Sequence, residues 1–357
     1  MGTSARQTAV PAGFHAGAAL LVAGALSAYY LGADWYVGAM QEDGVVEWTS
    51  FLLFACAGAI GVVQAVRRRR VFDLLVGLFC LFVAAEEISW GQRLLGYVPP
   101  DLFLENNFQQ ETNLHNFSDI FGRPKWVLAA ALAGYGLMLP ALAVNGRVQR
   151  AMERIGATAP PRALVAWFAA CVLLLAWYPI EYTGEWVEML AGGLFAASFY
   201  GGRVLLVVAA SLPVAVALAW LSDVRRPSSQ EEIACARAET GGLARDVVTV
   251  AGNARDLLDV GSMEKRIWSA ARAGYLDWTK LAAFRSVSCA GENPSRTRAR
   301  REYGIDPWGT AYWIQTEDSG QERGTVTIYS FGPNRRRDLD TGDDIRAVGR
   351  PGPDRAR

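Results

Sequence analysis

Carboxylates in this sequence stand at the ends of long apolar segments. Glu86 and Glu87 end one such segment, and Trp90 and Arg93 follow them. Glu86, Trp90 and Arg93 lie at i, i+4 and i+7, on one face of a helix, and this spacing predicts an ion pair between Glu86 and Arg93. Ionisable groups beside an apolar segment are costly unless they meet water, a partner or a ligand. The pair therefore marks a candidate site.

Further polar residues adjoin neighbouring apolar segments and are predicted to converge on the same face. They are Glu47, Gln109, Glu111, Asn113, His115 and Glu185, with Glu188 three residues after Glu185. Such a cluster suits a hard cation, or two carboxyl groups in different protonation states that act as acid and base. The same residues could also anchor and cap helix ends. The spacing does not separate these interpretations.

Histidine and cysteine usage excludes other metal chemistry. The chain has two histidines, His15 and His115, which are too few for a membrane zinc hydrolase of the ceramidase type. Its five cysteines form no CxxC and no closely spaced framework. We therefore predict neither a zinc site nor a structural disulfide.

Apolar segments of membrane-spanning length must position the candidate site, since a spanning helix needs about 20 apolar residues. Five such segments occur, at 14–33, 45–66, 71–90, 126–144 and 163–180. A sixth apolar stretch, 186–222, is broken at Gly201, Gly202 and Arg203. It fits either a hairpin of two spans or an interfacial helix followed by one span. Residues 1–222 are therefore predicted to form an α-helical multi-pass membrane bundle with six or seven spans.

Positive charge sets the predicted orientation, because loops rich in arginine stay in the cytoplasm. Arg67 to Arg70 separate the second and third segments, and residues 147–162 form a second basic loop. We expect a bacterial inner-membrane protein with a cytoplasmic N-terminus, a retained signal anchor and an outward candidate site. The tail would lie outside with seven spans, which we favour, and inside with six. A net charge of zero gives no reason to expect a nucleic-acid partner, and the bilayer is the predicted one.

The composition becomes polar after residue 222. Residues 223–261 are predicted to be a polar, partly helical linker, and 262–350 a small α+β domain. An amphipathic pattern at 263–285 predicts a helix. Two β-rich runs, 311–316 and 324–330, are separated by turn residues and predict an antiparallel strand pair.

Three short motifs in this domain follow one another in a recognisable order. Asp306-Pro307-Trp308-Gly309, Ser330-Phe331-Gly332-Pro333 and Asp343-Asp344-Ile345 resemble the C-terminal domain of the type II secretion major pseudopilin, the G protein. The resemblance implies a terminal loop that binds calcium through carboxylates and main-chain carbonyls. Carried over to this chain, the best matches for the ligands are Asp343 and Asp344, with Asp338 and Asp340 as further candidates and Ser330 as a carbonyl donor. The alternative is a solvated acidic turn without metal.

This sequence departs from the pseudopilin pattern in two ways. Arg335 to Arg337 place positive charge beside the acidic loop, where they could weaken ion binding or replace the ion with salt bridges. The cleaved leader and single polymerising helix of pseudopilins are not recognisable. The domain is therefore expected to be a binding or stabilising module joined to a membrane protein, because a shared fold does not transfer function.

Two classes of function remain open at this point. The run from Glu86 to Arg93 and the amide-rich loop up to Asn116 resemble a pattern in bacterial multi-pass membrane proteins of uncharacterised activity. We favour a non-catalytic membrane component of the bacterial envelope, secretion-related, with the pseudopilin-like module for docking. The alternative is a membrane-embedded enzyme or transporter that acts on a lipid headgroup or small polar molecule through the outward Glu/Asn/His cluster. No nucleophile, metal triad or phosphate loop decides between them.

Overall fold

The chain forms two compact units in a computed structural model. The membrane unit comprises Met1–Leu95 and Asn113–Leu221, and the C-terminal unit comprises Gly96–Thr112 and Ser222–Arg357. The structure describes residues 9–32, 34–41, 43–107, 109–117, 124–224, 230–251, 265–272, 274–281, 294–317, 325–333, 335 and 343–350.

Helices dominate the described residues, which is the predicted fold class for the first part of the chain. In chain order they are α1 (Ala12–Tyr30), α2 (Asp34–Met40), α3 (Val45–Arg68), α4 (Val71–Glu87), α5 (Gln92–Leu95), α6 (Asp101–Asn106), α7 (Pro124–Leu132), α8 (Leu139–Leu142), α9 (Gly146–Arg154), α10 (Val165–Trp177), α11 (Thr183–Tyr200), α12 (Val204–Val224), α13 (Gln230–Ala251), α14 (Ile267–Arg272) and α15 (Pro294–Tyr303). A π-helical segment, Ala133–Met138, joins α7 to α8. A 3₁₀ turn, Gly201–Arg203, separates α11 from α12.

Four helical stretches of the described chain are long and apolar enough to cross a membrane. They are Ala12–Tyr30, Trp35–Arg68, Lys125–Leu142 and Thr183–Leu221, and Arg162–Trp177 is a shorter apolar helix. Most of the described part of each of the five segments predicted to span is helical, although those at 71–90 and 163–180 are not among these four stretches. The prediction of a membrane protein with transmembrane helices is therefore confirmed at this level.

Helices α3 and α4 pack through glycines. A Cβ atom added to Gly77 would lie 2.8 Å from the Val62 backbone nitrogen and 3.1 Å from the Gly58 carbonyl oxygen. A Cβ on Gly61 would lie 3.0 Å from the Gly77 Cα. Small residues allow helix backbones in a membrane to approach this closely. The pair is thus held in one fixed arrangement, with Glu47 at the start of α3 and Glu87 at the end of α4.

Helices α11 and α12 run in opposite directions along the bundle. The chain enters α11 beside α2, where the Tyr36 hydroxyl donates to the Glu181 carbonyl (2.8 Å). Towards its end, the Phe199 carbonyl accepts from Gln64 near the end of α3 (3.1 Å). Helix α12 returns, because its residues Ala215 and Ala219 share a small core with Trp48 at the start of α3.

The C-terminal unit contains a four-stranded antiparallel sheet in the order β1-β2-β3-β4. The strands are β1 (Lys265–Arg266), β2 (Trp313–Thr316), β3 (Val326–Ser330) and β4 (Ile345–Gly349). Leu243 and Val247 of α13 pack against Ile314 and Ile328 of the sheet in one core. The predicted strand pair is therefore confirmed as β2 and β3, and β1 and β4 are additions that the sequence pattern did not reveal.

Other expectations for this unit differ from the structure. Within the described part of 263–285, the predicted helix is replaced by strand β1, the short helix α14 and a 3₁₀ turn at Trp278–Lys280. The supposed linker contains α13, whose 22 residues include part of the core. Cys56, Cys80 and Cys171 are free thiols, but Cys235 is disulfide-bonded. The prediction of no structural disulfide is therefore wrong.

The segment Gly96–Thr112 belongs to the C-terminal unit, although the sequence suggested a boundary at residue 222. Leu104 of α6 packs in a core with Ala299 and Tyr303 of α15. The Gln110 side-chain amide donates to the Tyr303 carbonyl (3.0 Å), and Asp101 pairs with Arg298 (2.7 Å). Two pieces of chain on either side of the later apolar helices therefore complete one folded unit.

A buried ionic cluster joins α13 to α15 and the sheet. The carboxylate of Glu239 accepts hydrogen bonds from the Arg300 guanidinium and the Tyr312 hydroxyl. The side chains of Glu239 and Arg300 are 2% and 3% exposed. Arg300 Nε also donates to the Ile305 carbonyl (3.2 Å). A buried charge without its partner is strongly destabilising, so each member depends on the others.

Candidate functional site

A pocket of about 480 Å³ lies in the membrane unit, among the ends of α4, α7 and α11. One part of its wall is apolar and is formed by Phe79, Phe82, Val83, Leu114, Val127 and Leu128. The other part is polar and is formed by Glu86, Glu87, His115, Asn116, Lys125, Tyr178, Gly184, Glu185 and Glu188. One ligand could therefore make apolar contacts with one part of the pocket and hydrogen bonds or ion pairs with the other.

Glu86 fixes the loop that covers the end of α4. Its Oε2 accepts from the backbone nitrogens of Leu114 (2.5 Å) and His115 (2.9 Å), and its Oε1 accepts from Trp90 Nε1 (2.6 Å). Glu86 is 5% exposed. Glu86 therefore faces protein and holds the loop that carries His115. Because its acceptor positions are occupied by these donors, Glu86 has a positioning role.

The backbone after α4 makes a left-handed turn that positions the side chains of Ser89 and Trp90. Ser89, Trp90 and Gly91 have φ values of 46°, 54° and 77°. Non-glycine residues in this region cost of order 1–2 kcal/mol each and are held there by surrounding contacts. The Trp90 bond to Glu86 and the Asn113 amide bond to Ser89 Oγ (3.0 Å) supply such contacts.

Glu87 stands among other carboxylates. It is 8% exposed, and it lies close enough to Glu188, Glu185 and Glu47 to interact electrostatically with them. The Glu188 side chain lies within hydrogen-bonding range of Glu87. Two carboxyl groups in such contact require a proton or a cation between them. The pair can therefore share a proton or bind a positively charged or hydrogen-bond-donating group.

His115 is the residue of the covering loop that can become positively charged. Its Nδ1 lies 3.5 Å from Glu86 Oε2, and its side chain is 44% exposed. Burial alone would lower the pKa of His115, but the hydrogen bond to Glu86 and the charges of Glu188 and Glu185 raise it above the ordinary value. The imidazole is therefore more readily protonated than a free histidine.

The structure brings together part of the predicted constellation. Glu86, Glu87, His115 and Glu185 line the pocket, as does Glu188. Glu47 interacts with Glu87 and also accepts from the Asp43 backbone nitrogen at the start of α3. Asn113 lies beside the pocket through its bond to Ser89.

Three other candidates are placed differently. Gln109 and Glu111 belong to the C-terminal unit, where their backbone nitrogens donate to the Asn107 side chain (2.7 and 3.3 Å). The side chain of Arg93 lies outside the part of the chain that the structure describes, so its pairing with Glu86 stays a prediction. His15, on α1, accepts from Trp167 (2.9 Å) and is part of the helix packing.

Lys125 and Tyr178 were missed as pocket residues. Lys125 Nζ lies 4.9 Å from the ring centre of Tyr178 and 5.7 Å from that of Trp126. The available sequence signal was the lone lysine beside tryptophan at the start of an apolar segment, which is typical of a membrane interface. Exposed Trp90, Trp126 and Trp177 lie at these helix ends and fit the same level.

No protein-family model, curated protein or solved structure matches this chain. The resemblances to the pseudopilin domain and to bacterial membrane proteins therefore stay predictions.

The calcium prediction also stays open. Asp338 and Asp340 lie outside the described residues, while Asp344 is 4.0 Å from Arg346. Within the described ranges, no group of three or more His, Cys, Asp or Glu residues is arranged to hold a metal ion. The Ser330 hydroxyl donates to the buried Asp306 carboxylate (2.6 Å), which also accepts from the Thr310 backbone nitrogen (2.8 Å).

Proposed function

We propose that the membrane unit binds an amphiphilic molecule, with a cationic or zwitterionic polar group held by Glu87, Glu185 and Glu188. The observation that carries this proposal is the pocket wall, which is apolar along α4 and α7 and acidic at the end of α4 and start of α11. A soluble polar ligand would make no favourable contacts with the apolar part of the wall. A purely apolar ligand would bring no hydrogen-bond donor to the acidic part of the wall.

The contrast between neighbouring carboxylates supports a binding role. Glu86 is surrounded by N–H donors, as a structural carboxylate should be. Glu87 instead shares the pocket wall with Glu185 and Glu188, whose carboxyl oxygens can accept hydrogen bonds from the polar group of a ligand. This is the function class of a membrane-embedded enzyme or transporter acting on a lipid headgroup or small polar molecule.

Removing one carboxylate tests the proposal. We expect Glu188→Gln and Glu87→Gln each to weaken binding of phosphoethanolamine, a water-soluble headgroup probe, by at least about tenfold, since a hydrogen-bonded charge contributes about 1.5–3 kcal/mol. Titration calorimetry on the full chain in nanodiscs measures this. Glu105→Gln, an exposed carboxylate of the C-terminal unit, is the control and should bind as the wild type does. Wild-type chain that binds no headgroup probe, or variants with unchanged affinity, would refute the proposal.

We further propose seven spans with the C-terminal unit outside the cytoplasm. Gly96–Thr112 and Ser222–Arg357 form one compact unit. One folded unit stays on one side of a bilayer, so an even number of crossings must separate its two pieces. The interval holds the helices α7 with α8, α10, α11 and α12, which supply four crossings. Helices α1, α3 and α4 precede it and bring the number to seven.

Two further observations support this orientation. The antiparallel course of α11 and α12 returns the chain to the end of the bundle where α3 begins, which positive charge at Arg67 to Arg70 predicts to be the outer end. Disulfides such as that of Cys235 form and persist in oxidising compartments.

An extracytoplasmic, separately compact unit also suits a docking role in an envelope or secretion assembly, which we keep as a second candidate function.

A reporter fusion tests the orientation. Alkaline phosphatase fused after residue 357 should be active, because it folds only outside the cytoplasm, whereas green fluorescent protein at the same place should be dark. Fusions after Arg69 should give the opposite pattern and serve as the control. A fluorescent fusion at residue 357 with inactive phosphatase would require six spans and overturn the proposal.

A further inference from the structure

We infer that the ligand of the acidic pocket is a phospholipid with a primary ammonium headgroup, one of whose acyl chains lies in a lateral groove that continues the pocket. The inference rests on the proposed function and names its ligand class. It depends on a second cavity and on the placement of Lys125.

The second cavity has a volume of about 290 Å³ and is almost entirely apolar in its lining. Phe79 lines both cavities, so the groove begins where the acidic pocket ends. Its walls are α4, through Phe72 and Val76, and the π-helical segment, through Gly134 and Met138. Met138 is 55% exposed and Leu75, also in the lining, is 60% exposed, so the groove is open at an apolar surface of the helices, as access from a bilayer requires.

The length of the groove fits an acyl chain. From Phe72 to Glu86 the helix α4 contributes 14 steps of about 1.5 Å, or about 21 Å. One leaflet of the hydrocarbon core is about 15 Å deep. A chain that follows α4 from the acidic end is therefore accommodated over the whole depth of its leaflet.

The charges at the pocket fit a zwitterionic headgroup. Glu87 and Glu188 line the pocket together, and their carboxyl oxygens can accept the N–H bonds of a primary ammonium, which offers three. Lys125 supplies a cation on the pocket wall, stacked over Tyr178, where a phosphate is favoured. An anionic glycerol headgroup would lack the ammonium, and a quaternary ammonium would lack the N–H donors.

Lipid retention tests the inference. The full chain is reconstituted in nanodiscs that contain equal amounts of phosphatidylethanolamine, phosphatidylglycerol and phosphatidylcholine, and retained lipid is identified by native mass spectrometry. We expect phosphatidylethanolamine to be retained at least about tenfold over the other two. Gly134→Leu should reduce that retention at least about tenfold by filling the groove, since a Cβ at Gly134 meets open space and the variant can fold. Gly24→Leu, at an equally open position of α1, is the matched control and should retain lipid.

The outcomes separate the groove from the pocket. Gly134→Leu that loses lipid yet binds phosphoethanolamine within twofold of wild type supports the groove. Equal lipid retention by Gly134→Leu and wild type would overturn it, and equal retention of the three lipids would overturn the headgroup assignment. Failure of wild-type chain to bind phosphoethanolamine would instead count against the proposed function itself.

Discussion

Replacing Glu239 by alanine is expected to lower the free energy of unfolding of the C-terminal unit by about 3–5 kcal/mol, because it leaves a buried charge without a partner. Arg300 cannot lose its proton in a protein, so its guanidinium would remain charged. Burial raises the pKa of Glu239 to about 7, although the Arg300 charge opposes this, so the carboxyl is mostly ionised at pH 8. The effect should be measured at that pH, where the ion pair is complete.

Pulse proteolysis in increasing urea, on the full chain in nanodiscs, reports the unfolding of this unit. Asp101→Ala is a matched control, because Asp101 also pairs with an arginine of α15 but is 48% exposed. Exposed pairs contribute little, so its urea midpoint should equal that of the wild type within error. Equal midpoints for Glu239→Ala and Asp101→Ala would show that the buried cluster is not important for stability.

Gly77→Ala is expected to destabilise the membrane unit by about 1–3 kcal/mol through overpacking of α3 against α4. The atoms that the new Cβ would meet belong to the backbone of α3 and cannot rotate away. Since this pair of helices places Glu47 near Glu87, probe binding at the pocket should weaken as well.

Thermal stability in detergent, followed by the loss of the monodisperse chromatographic peak, measures the change. Gly24→Ala provides the control, because a Cβ at Gly24 meets no atom within 4 Å. Alanine is favoured over glycine within a helix by roughly 0.5–1 kcal/mol, so this variant should be at least as stable as the wild type. A Gly77→Ala chain that melts like Gly24→Ala would contradict close packing of the two helices.

The membrane helices and much of the acidic pocket follow from the sequence for a simple reason. Apolar segments of spanning length fix where helices end, and polar residues at those ends, such as Glu87, His115 and Glu185, must gather there. The sequence around Lys125 indicates only a position at the membrane interface. It does not reveal that the ring of Tyr178 lies under the Lys125 ammonium group.

The C-terminal unit was less predictable, because its core contains charge. Helix α13 seemed to be a linker since its buried face includes Glu239 and Thr240, whose polarity hides the helical pattern. The partner that neutralises Glu239 lies 61 residues later in the sequence. Only the three-dimensional contact explains why that carboxylate is buried.

The division of the C-terminal unit into two stretches of chain imposes an order on its biosynthesis. Gln110 and its partner Tyr303 are 193 residues apart. At about 5–20 residues per second, a ribosome needs roughly 10–40 s to synthesise that interval. Throughout this time Leu104, which is 1% exposed in the finished protein, has no core to enter. The early loop is therefore covered only after α15 has been made, and any chain that stops before α15 leaves this loop open to proteases and to wrong partners.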